Sequence, residues 1–458
     1  MAAELRLCFV LSAILGGIVV VSSARVVRDT HAYRYGAIFD AGSSGTRLHV
    51  YRYDQNRLPT KTEDLTELRI SGTSRVRPGI SSYISNPVLV KRDLTLLLQS
   101  AAAVVPEELQ SSTPVYLKAT AGMRLLRPAD VDAIFDQIDD LFLDSTVNPF
   151  KFQRGWAKVI SGEEEGVFGW ISVNFLMGVF DSNRDTETYG ALDMGGASTQ
   201  ITFLPEGQIF ANLFPLYIAG RRYDLYTNSF LKFGQDQFRL QVHRHLYNQA
   251  SDKNAVMDSP CDLQGYLEPV DLGDNKVANI KGTGNPNQQC RALVRQLLGL
   301  NQTCYTEPCS IVGVYQPPVG DTIFYGTAGY YYTGSGVGAA PEDGGFTSVN
   351  NFQTKTDDFC SLSLAQATNQ SGEFAYNYCM SGNYMAALLS DGYNIDASAV
   401  DKIFVAEEIN GVDIGWALGS MMYELYLLDI EFTVGAASHV TSTSLALILA
   451  AMSLILQF

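Results

Sequence analysis

Two stretches of the chain share one pattern, and this repetition constrains the fold more than any other feature. Residues 37–51 read AIFDAGSSGTRLHVY, and residues 191–203 read ALDMGGASTQITF. Each stretch runs from apolar residues through an aspartate and a glycine-rich turn into an alternating strand, which predicts a strand–turn–strand unit. Asp40 and Asp193 lie 153 residues apart, about one domain length. The sequence therefore predicts two related α/β halves, each with one copy of the turn.

The segments around the two copies also favour an α/β class. Apolar strand patterns alternate with helical spacing through the first third of the chain, and helical spacing returns near residue 418. Cysteines, glycines and prolines cluster between Asp258 and Gly345, so we expect loops to dominate there. The predicted division is a domain I of residues 33–160 plus 405–432 and a domain II of residues 161–404.

A glycine-rich turn of this kind has a characteristic chemistry. Backbone N–H groups and hydroxyls exposed by small residues converge on phosphate, and the aspartate that precedes them suits a divalent cation bound directly or through water. A single such turn is also typical of an ordinary hairpin, but two copies would clamp a polyphosphate between the halves. The predicted phosphate-binding residues are Ser43, Ser44 and Gly45 in the first turn and Gly196, Ala197 and Ser198 in the second.

Hydrolysis also requires a base for water, and one helix start offers candidates. Residues 161–174 read SGEEEGVFGWISVN, with apolar spacing that places three glutamates in the first turn of a helix. Acidic residues are favoured there by the helix dipole alone, so the pattern equally fits an ordinary helix start. Thr120, in the small-residue segment ATAGMR, is a candidate hydroxyl for cation-bound water or part of a plain strand-to-helix turn.

Composition and missing motifs exclude several classes of protein. The net charge of -16 argues against a nucleic-acid binder and requires a phosphate substrate to arrive as its metal complex. Five histidines without an H-E-x-x-H pattern disfavour a zinc site, and neither G-x-x-x-x-G-K-[ST] nor G-x-S-x-G occurs. A composition of 46% hydrophobic and 17% charged residues indicates a globular chain.

Five ordered motifs together resemble the ecto-apyrase family of nucleoside triphosphate diphosphohydrolases. They are IFDAGSSGTRLHVY from Ile38, ATAGMRLL from Ala119, SGEEEGVFGWISVNF from Ser161, ALDMGGASTQITF from Ala191 and NGVDIGWALG from Asn410. The resemblance implies two ribonuclease H-like domains, as in actin and sugar kinases, with the active site in the cleft between them. It also implies Ca²⁺- or Mg²⁺-dependent hydrolysis of nucleoside tri- and diphosphates.

The resemblance further implies roles for single residues. Glu165 matches the general base, Gln200 a residue that positions the attacking water, and Thr120 and Trp416 helpers of the cation and its water. Asp40 and Asp193 match the carboxylates that hold the cation through water, and Tyr330 and Tyr378 the two rings that stack on the base. The chain departs from the family at Thr327, where an aromatic is common, and at Gln235, where a basic residue sometimes stands.

Both ends of the chain and its cysteines point to the secretory pathway. Residues 1–24 predict a cleaved signal peptide, with a retained anchor as the alternative. The six cysteines beyond it permit 15 pairings, of which we favour the nearest-neighbour set Cys261–Cys290, Cys304–Cys309 and Cys360–Cys379. Two N-glycosylation sequons begin at Asn301 and Asn369. Residues 435–458 combine small residues, a polar spacer and an apolar tail, which favours a glycolipid-anchor signal over a short tail anchor or simple secretion.

The predicted function is therefore divalent-cation-dependent hydrolysis of nucleoside tri- and diphosphates at the cell surface or after secretion. Three alternatives remain from the sequence: a nucleoside diphosphatase of the secretory lumen, a phosphotransferase of the same superfamily, and a binding protein that has lost catalysis. The signal peptide argues against a kinase, which needs cytosolic ATP. The presence of Glu165, Asp40, Asp193 and Gln200 argues against lost catalysis.

Overall fold

The computed structural model describes residues 33–181, 187–285 and 288–427. The predicted signal peptide and the predicted C-terminal anchor signal both lie outside these residues. Within the three ranges, no helix has both the length and the apolarity needed to cross a membrane.

The first half of the chain builds one six-stranded sheet with helices packed against it. Its strands are β1 (Tyr33–Ala41), β2 (Thr46–Asp54), β3 (Leu65–Glu67), β4 (Arg75–Val76), β5 (Val115–Ala119) and β6 (Ala157–Val159). Its helices are α1 (Val90–Ala102), α2 (Glu107–Gln110), α3 (Ala121–Arg124) and α4 (Pro128–Leu143). The strand order is β3-β2-β1-β5-β6, with β4 beside β2. The apolar middle of β1 is buried completely, as expected for a central strand covered on both faces.

The second half builds a seven-stranded sheet and a smaller three-stranded one. Its strands are β7 (Gly190–Met194), β8 (Ser198–Phe203), β9 (Leu213–Ile218), β10 (Arg221–Leu231), β11 (Val256–Ser259), β12 (Leu267–Gly273), β13 (Lys276–Gly282), β14 (Phe324–Ala328), β15 (Gly345–Thr347), β16 (Ile403–Val405), β17 (Glu408–Ile409) and β18 (Val412–Asp413). Its helices are α5 (Gly162–Leu176), α6 (Gln235–Gln249), α7 (Gln289–Leu297), α8 (Gly329–Gly336), α9 (Val349–Cys360), α10 (Leu364–Ser371), α11 (Ala375–Ala387) and α12 (416–427). The large sheet has the order β15-β16-β14-β7-β8-β10-β9.

The two large sheets repeat one arrangement of strands. In the first, β1 pairs antiparallel with β2 and parallel with β5; in the second, β7 pairs antiparallel with β8 and parallel with β14. The register places Asp40 opposite Arg47 in one hairpin and Asp193 opposite Gln200 in the other. The predicted fold class of two related α/β halves is confirmed. The residue limits of the two domains stay a prediction, and β16 places Val405 in the second sheet.

Helix α5 lies between the halves and is apolar nearly all round, which explains its burial. It shares a core with the central strand of the first sheet and with α12. Gly419 of α12 approaches so closely that an added Cβ would lie 1.9 Å from the carbonyl oxygen of Phe168. The Ser172 hydroxyl accepts a hydrogen bond from Gly419 N at 2.8 Å and donates to the Gly415 carbonyl at 2.9 Å. These contacts fix α12 and the segment before it against α5.

The segment from Asp258 to Gly345 is irregular over about half of its described residues, as expected, but it also holds regular elements that the sequence analysis did not place. It contains β12, β13, α7, β14 and α8, and β11 joins β13 and β12 in the three-stranded sheet. These strands were missed because most of their side chains are exposed and polar residues interrupt the alternation. The three predicted disulfides, Cys261–Cys290, Cys304–Cys309 and Cys360–Cys379, are confirmed.

A buried charge cluster lies beside the first of these disulfides. Asp262 accepts hydrogen bonds from Arg239 at 2.5 Å and from Ser259 at 2.6 Å, and it bonds the His243 ring at 2.8 Å. Burial alone would raise the pKa of Asp262, but the bond to His243 and the charge of Arg239 more than offset it and hold the pKa below its usual range. The ionised carboxylate therefore stabilises the contact between α6 and the three-stranded sheet.

Candidate active site

Each glycine turn is held by a close approach of other backbone segments. Behind the first turn, a Cβ added to Gly79 would lie 2.4 Å from the carbonyl oxygen of Ser43. Behind the second, a Cβ added to Gly234 would lie 2.4 Å from the backbone nitrogen of Ala197. The two turns also face each other, since a Cβ on Gly196 would come within 3.1 Å of the Ser43 hydroxyl. The repeated motif therefore converges on one place between the halves.

A cavity of about 480 Å³ lies where the turns meet, and we call it the cleft. Most of the predicted site residues line it. They are Asp40, Ser43, Ser44, Thr120, Glu165, Asp193, Gly196, Ala197, Ser198, Gln200 and Trp416. Gly45, Tyr330 and Tyr378 do not line it. Gly45 instead packs against the strand behind the turn, where an added Cβ would lie 2.6 Å from the Val76 carbonyl oxygen.

The start of α5 decides which of the three glutamates faces the cleft. Ser161 caps the helix by accepting from Glu164 N at 3.0 Å, and the Glu164 carboxylate accepts from Ser161 N at 2.8 Å. Glu164 also pairs with Lys158 at 2.8 Å. Since the cap and this ion pair engage Glu164 away from the cavity, Glu165 is the only one of the three to line the cleft.

Glu165 is buried and lies in a hydrogen-bond network. Its Oε2 accepts from the Arg124 guanidinium and, at 3.1 Å, from Gln200 Nε2. Gln200 Nε2 also lies 2.9 Å from the Ser198 hydroxyl and 3.0 Å from that of Ser229. Neither of the two bonds to Glu165 uses Oε1. Gln200 Oε1 is buried and has no partner among the residues that the structure describes. Because buried acceptors are normally bonded, we expect an ordered water there.

The carboxyl groups of the cleft raise each other's pKa values. Burial raises the pKa of Glu165 to about 8, with Arg124 opposing the shift and Asp193 and Asp40 adding to it. Burial and the neighbouring Asp40 raise the pKa of Asp193 to about 6. Burial also raises the pKa of Asp40, although His49 and Arg47 oppose it. The cleft thus concentrates negative charge that its own arginines do not neutralise.

The donor set of the cleft fits a hard divalent cation. Asp40, Asp193, Glu165 and Thr120 offer carboxylate and hydroxyl oxygens around one cavity, and oxygen ligands are what Ca²⁺ and Mg²⁺ prefer. Within the described ranges, no three acidic, histidine or cysteine side chains converge closely enough to ligate one ion directly. A cation here would therefore depend on water and substrate phosphate for part of its coordination, a habit typical of Mg²⁺.

Three arginines at the site were missed by the sequence analysis. Arg124 contacts Glu165, and Arg47 and Arg75 line the cleft beside the first turn. Arg47 lies 3.8 Å from Asp40, and Arg75 donates to the Ser44 hydroxyl at 3.3 Å. Alignment of the two repeated stretches could have identified Arg47, because it occupies the hairpin position in the first copy that Gln200 occupies in the second.

The tyrosine that reaches the cleft is Tyr332. Its ring lines the cavity, is 45% exposed, and its hydroxyl donates to Glu407 at 2.5 Å. Tyr330, one of the two predicted base-stacking residues, is buried completely in the hydrophobic core of the second half of the chain. Neither face of its ring is therefore open to a nucleotide base. Tyr378 packs near Phe359 and Gly336, away from the cavity. Thr327 and Gln235, the two positions at which the chain departs from the family pattern, both line the cleft.

Fold and site together define an actin-like, two-domain protein whose two glycine turns face each other across a cleft between its halves. The solved structure of nucleoside triphosphate hydrolases from Neospora caninum shares this fold, with a TM-score of 0.64 over 92% of this chain and 97% of that chain at 16% identity. The model of the GDA1/CD39 (nucleoside phosphatase) family matches residues 26–437. The chain belongs to this family.

Curated relatives give the same assignment at higher identity. Ectonucleoside triphosphate diphosphohydrolase 8 of Gallus gallus is 33% identical over 89% of this chain and 86% of its own length. Ectonucleoside triphosphate diphosphohydrolase 1 of Bos taurus is 33% identical over 85% of this chain and 80% of its own. Ectonucleoside triphosphate diphosphohydrolase 3 of Homo sapiens is 33% identical over 85% of this chain and 78% of its own length.

Proposed function

We propose that this chain hydrolyses the terminal phosphate of nucleoside tri- and diphosphates with water as the attacking group. One observation carries the proposal: a buried glutamate, Glu165, lies between two facing phosphate turns and leaves one carboxylate oxygen outside its protein hydrogen bonds. The names and similarity of the relatives support this substrate class.

Each residue of the cleft has a defined task in this reaction. Glu165 Oε1 takes one proton from water as the oxygen attacks the terminal phosphorus, and Gln200 Oε1 orients that water by accepting a hydrogen bond from its second O–H. Arg124 opposes the rise that burial causes in the pKa of Glu165, so it favours the ionised, proton-accepting form, and it fixes the orientation of the carboxylate. The bond from phosphorus to the bridging oxygen breaks, and the departing nucleotide keeps the electron pair. Ser43 and Ser198 of the two turns donate hydrogen bonds to phosphate oxygens.

A divalent cation is proposed as the cofactor. When bound, Ca²⁺ or Mg²⁺ would neutralise phosphate oxygens and so draw electrons from the terminal phosphorus. Asp40 and Asp193 would hold it through water, with Thr120 and Trp416 as supporting contacts. Burial is the main cause of the raised pKa values of Asp40 and Asp193, and neighbouring carboxyl groups add to it, which supports a site that needs positive charge.

The geometry supports a broad substrate range with a minimum of two phosphates. A monophosphate cannot engage both turns and keep a leaving group in line with the attacking water, whereas a diphosphate can. We assign base stacking to Tyr332, the exposed ring of the cleft, in place of Tyr330. Stacking accepts any base because every base has a π-face, so discrimination among bases should be weak.

A substrate panel tests the proposal. Phosphate release from ATP, UTP, GTP, ADP, UDP and AMP is measured with malachite green at saturating Ca²⁺ or Mg²⁺. We expect turnover of all tri- and diphosphates and little of AMP. Comparable hydrolysis of AMP, or a preference above about 10³-fold for one base, contradicts the two-turn model.

We also propose that the protein enters the secretory pathway and is held at the cell surface by a glycolipid anchor. The apolar segment before residue 25, three disulfides and exposed sequons at Asn301 and Asn369 support secretion. The tail 435–458 supports the anchor. Mass spectrometry of the mature protein decides this, because an intact peptide 445–458 would rule out the glycolipid, and unmodified asparagines would rule out glycosylation.

A further inference from the structure

A second cavity, of about 570 Å³, adjoins the cleft in the first half of the chain. Arg47, Arg75 and Asp413 line both cavities, so these three side chains form the wall between them. Arg69 lines the second cavity only and is exposed at its surface. The hydrolysis described above uses none of the side chains that belong to the second cavity alone.

The charge of the second cavity is unusual for this chain. The protein carries a net charge of -16, yet three arginines converge here. Among the described residues Arg69 forms no ion pair, and Arg47 has only Asp40, at the long distance of 3.8 Å. Two carboxyl groups also line the cavity: Glu67, which bonds the His49 ring at 2.7 Å, and Asp413, which accepts from Gly415 N at 2.6 Å. The three guanidinium groups therefore exceed the two carboxylates by one positive charge.

Arg75 links the second cavity to the first glycine turn and lies among like charges. Its Nη2 donates to the Ser44 hydroxyl at 3.3 Å, and its Nε is packed against the same turn, where a Cβ on Gly45 would lie 3.4 Å away. Burial lowers the pKa of Arg75, and the charges of Arg47 and Arg77 lower it further. Such crowding of like charges is relieved by an anion with several oxygens.

We propose that the second cavity binds inorganic phosphate, the product that leaves the first glycine turn. This inference rests on the proposed hydrolysis, which releases phosphate beside Ser44. Arg75 contacts that hydroxyl from the wall of the cavity, so phosphate can pass from the turn to Arg47 and Arg75 and then to the exposed Arg69.

The test measures phosphate binding while the cleft is filled. Full-length protein is saturated with a methylene-bridged nucleoside triphosphate analogue and Mg²⁺ and then equilibrated with radiolabelled inorganic phosphate in dialysis. We expect about one phosphate bound per chain. Arg69→Ala and Arg69→Glu should weaken this binding about tenfold or more, as expected for losing a charged hydrogen bond, and Arg69→Lys should weaken it less.

A matched control is Arg222→Ala, which removes one charge from an exposed arginine paired with Asp224 in the second half. It should bind phosphate as the wild type does. Absence of bound phosphate with the cleft filled, or wild-type affinity in Arg69→Glu, overturns the inference. Hydrolysis assayed on the same preparations reports the proposed function separately, and the initial rate of Arg69→Ala without added phosphate should equal that of the wild type.

Discussion

Arg124 should control the pH at which the enzyme becomes active. Its guanidinium is in direct contact with Glu165 Oε2, and both side chains are largely buried. Two unit charges 4 Å apart interact by about 4 kcal/mol at an effective dielectric constant of ~20, which is about three pKa units at ~1.4 kcal/mol each. Carboxyl groups beside an arginine typically shift by about 1–3 units. Replacing Arg124 with glutamine should therefore raise the pKa of Glu165 by about 1–3 units.

The sign of the effect follows from the role of the base. Glu165 must be ionised to accept a proton, so a higher pKa moves the acidic limb of kcat/KM to higher pH. The assay is a profile of phosphate release against pH at saturating Mg²⁺. At neutral pH, Arg124→Gln should lose about 10- to 10³-fold in rate, recovered in large part at alkaline pH. Arg124→Lys keeps the charge and should keep the limb near its wild-type position. If the acidic limb of the kcat/KM profile of Arg124→Gln stays at the wild-type pH and only the maximal value falls, this reasoning is refuted.

The remaining predictions concern the base, the cation, the nucleotide and stability. Glu165→Gln keeps the side-chain shape but cannot take a proton, so turnover should fall about 10²–10⁴-fold with nucleotide binding by calorimetry intact; more than about a tenth of wild-type activity would place the base elsewhere. EDTA should abolish phosphate release and Ca²⁺ or Mg²⁺ restore it, whereas full activity in EDTA contradicts the cation site. Tyr332→Ala should raise KM for all bases alike, by the equivalent of about 1–3 kcal/mol, and an effect on one base alone would indicate hydrogen bonding instead of stacking. Asp262→Asn should cost about 3–5 kcal/mol in thermal unfolding because it leaves the buried Arg239 guanidinium unpaired, while Asp258→Asn, at an exposed pair, should be nearly neutral; equal effects would contradict the buried-cluster account.

The sequence predicted the features that are local or repeated. Each glycine turn is encoded within one strand–turn–strand segment, and its second copy showed that the turns belong to a duplicated fold. The start of α5 was also predicted, because the apolar spacing that places the three glutamates in its first turn lies within one short segment. Disulfide pairing between nearest neighbours succeeded because each pair closes a short loop within one half.

The features that the sequence did not reveal depend on tertiary contacts. Three tyrosines follow one another at residues 330–332 in α8, and successive side chains on a helix point about 100° apart. Which of them faces the cleft is set by how the helix docks on its sheet, and the structure selects Tyr332. Arg124 reaches Glu165 across 41 residues, and Arg75 reaches Ser44 across 31. No periodicity links such distant positions, so these contacts appear only in the folded chain.

The charge of the cleft explains how so acidic a chain can act on a polyanion. Two arginines and five carboxyl groups line the cavity, and Arg124 pairs with one of these carboxyl groups, Glu165, so two negative charges remain uncompensated when every group is ionised. Burial is the main cause of the raised pKa of Glu165, about 8, and of Asp193, about 6, and repulsion by neighbouring carboxyl groups adds to it. A free nucleotide would add further negative charge to this cavity, whereas its complex with a divalent cation brings the charge that the carboxylates require. The arginines lie at the end beside the first glycine turn, where they favour terminal phosphate and leave the carboxylates around Glu165 free to ionise. Cation dependence and phosphate orientation are therefore two consequences of one asymmetric distribution of charge.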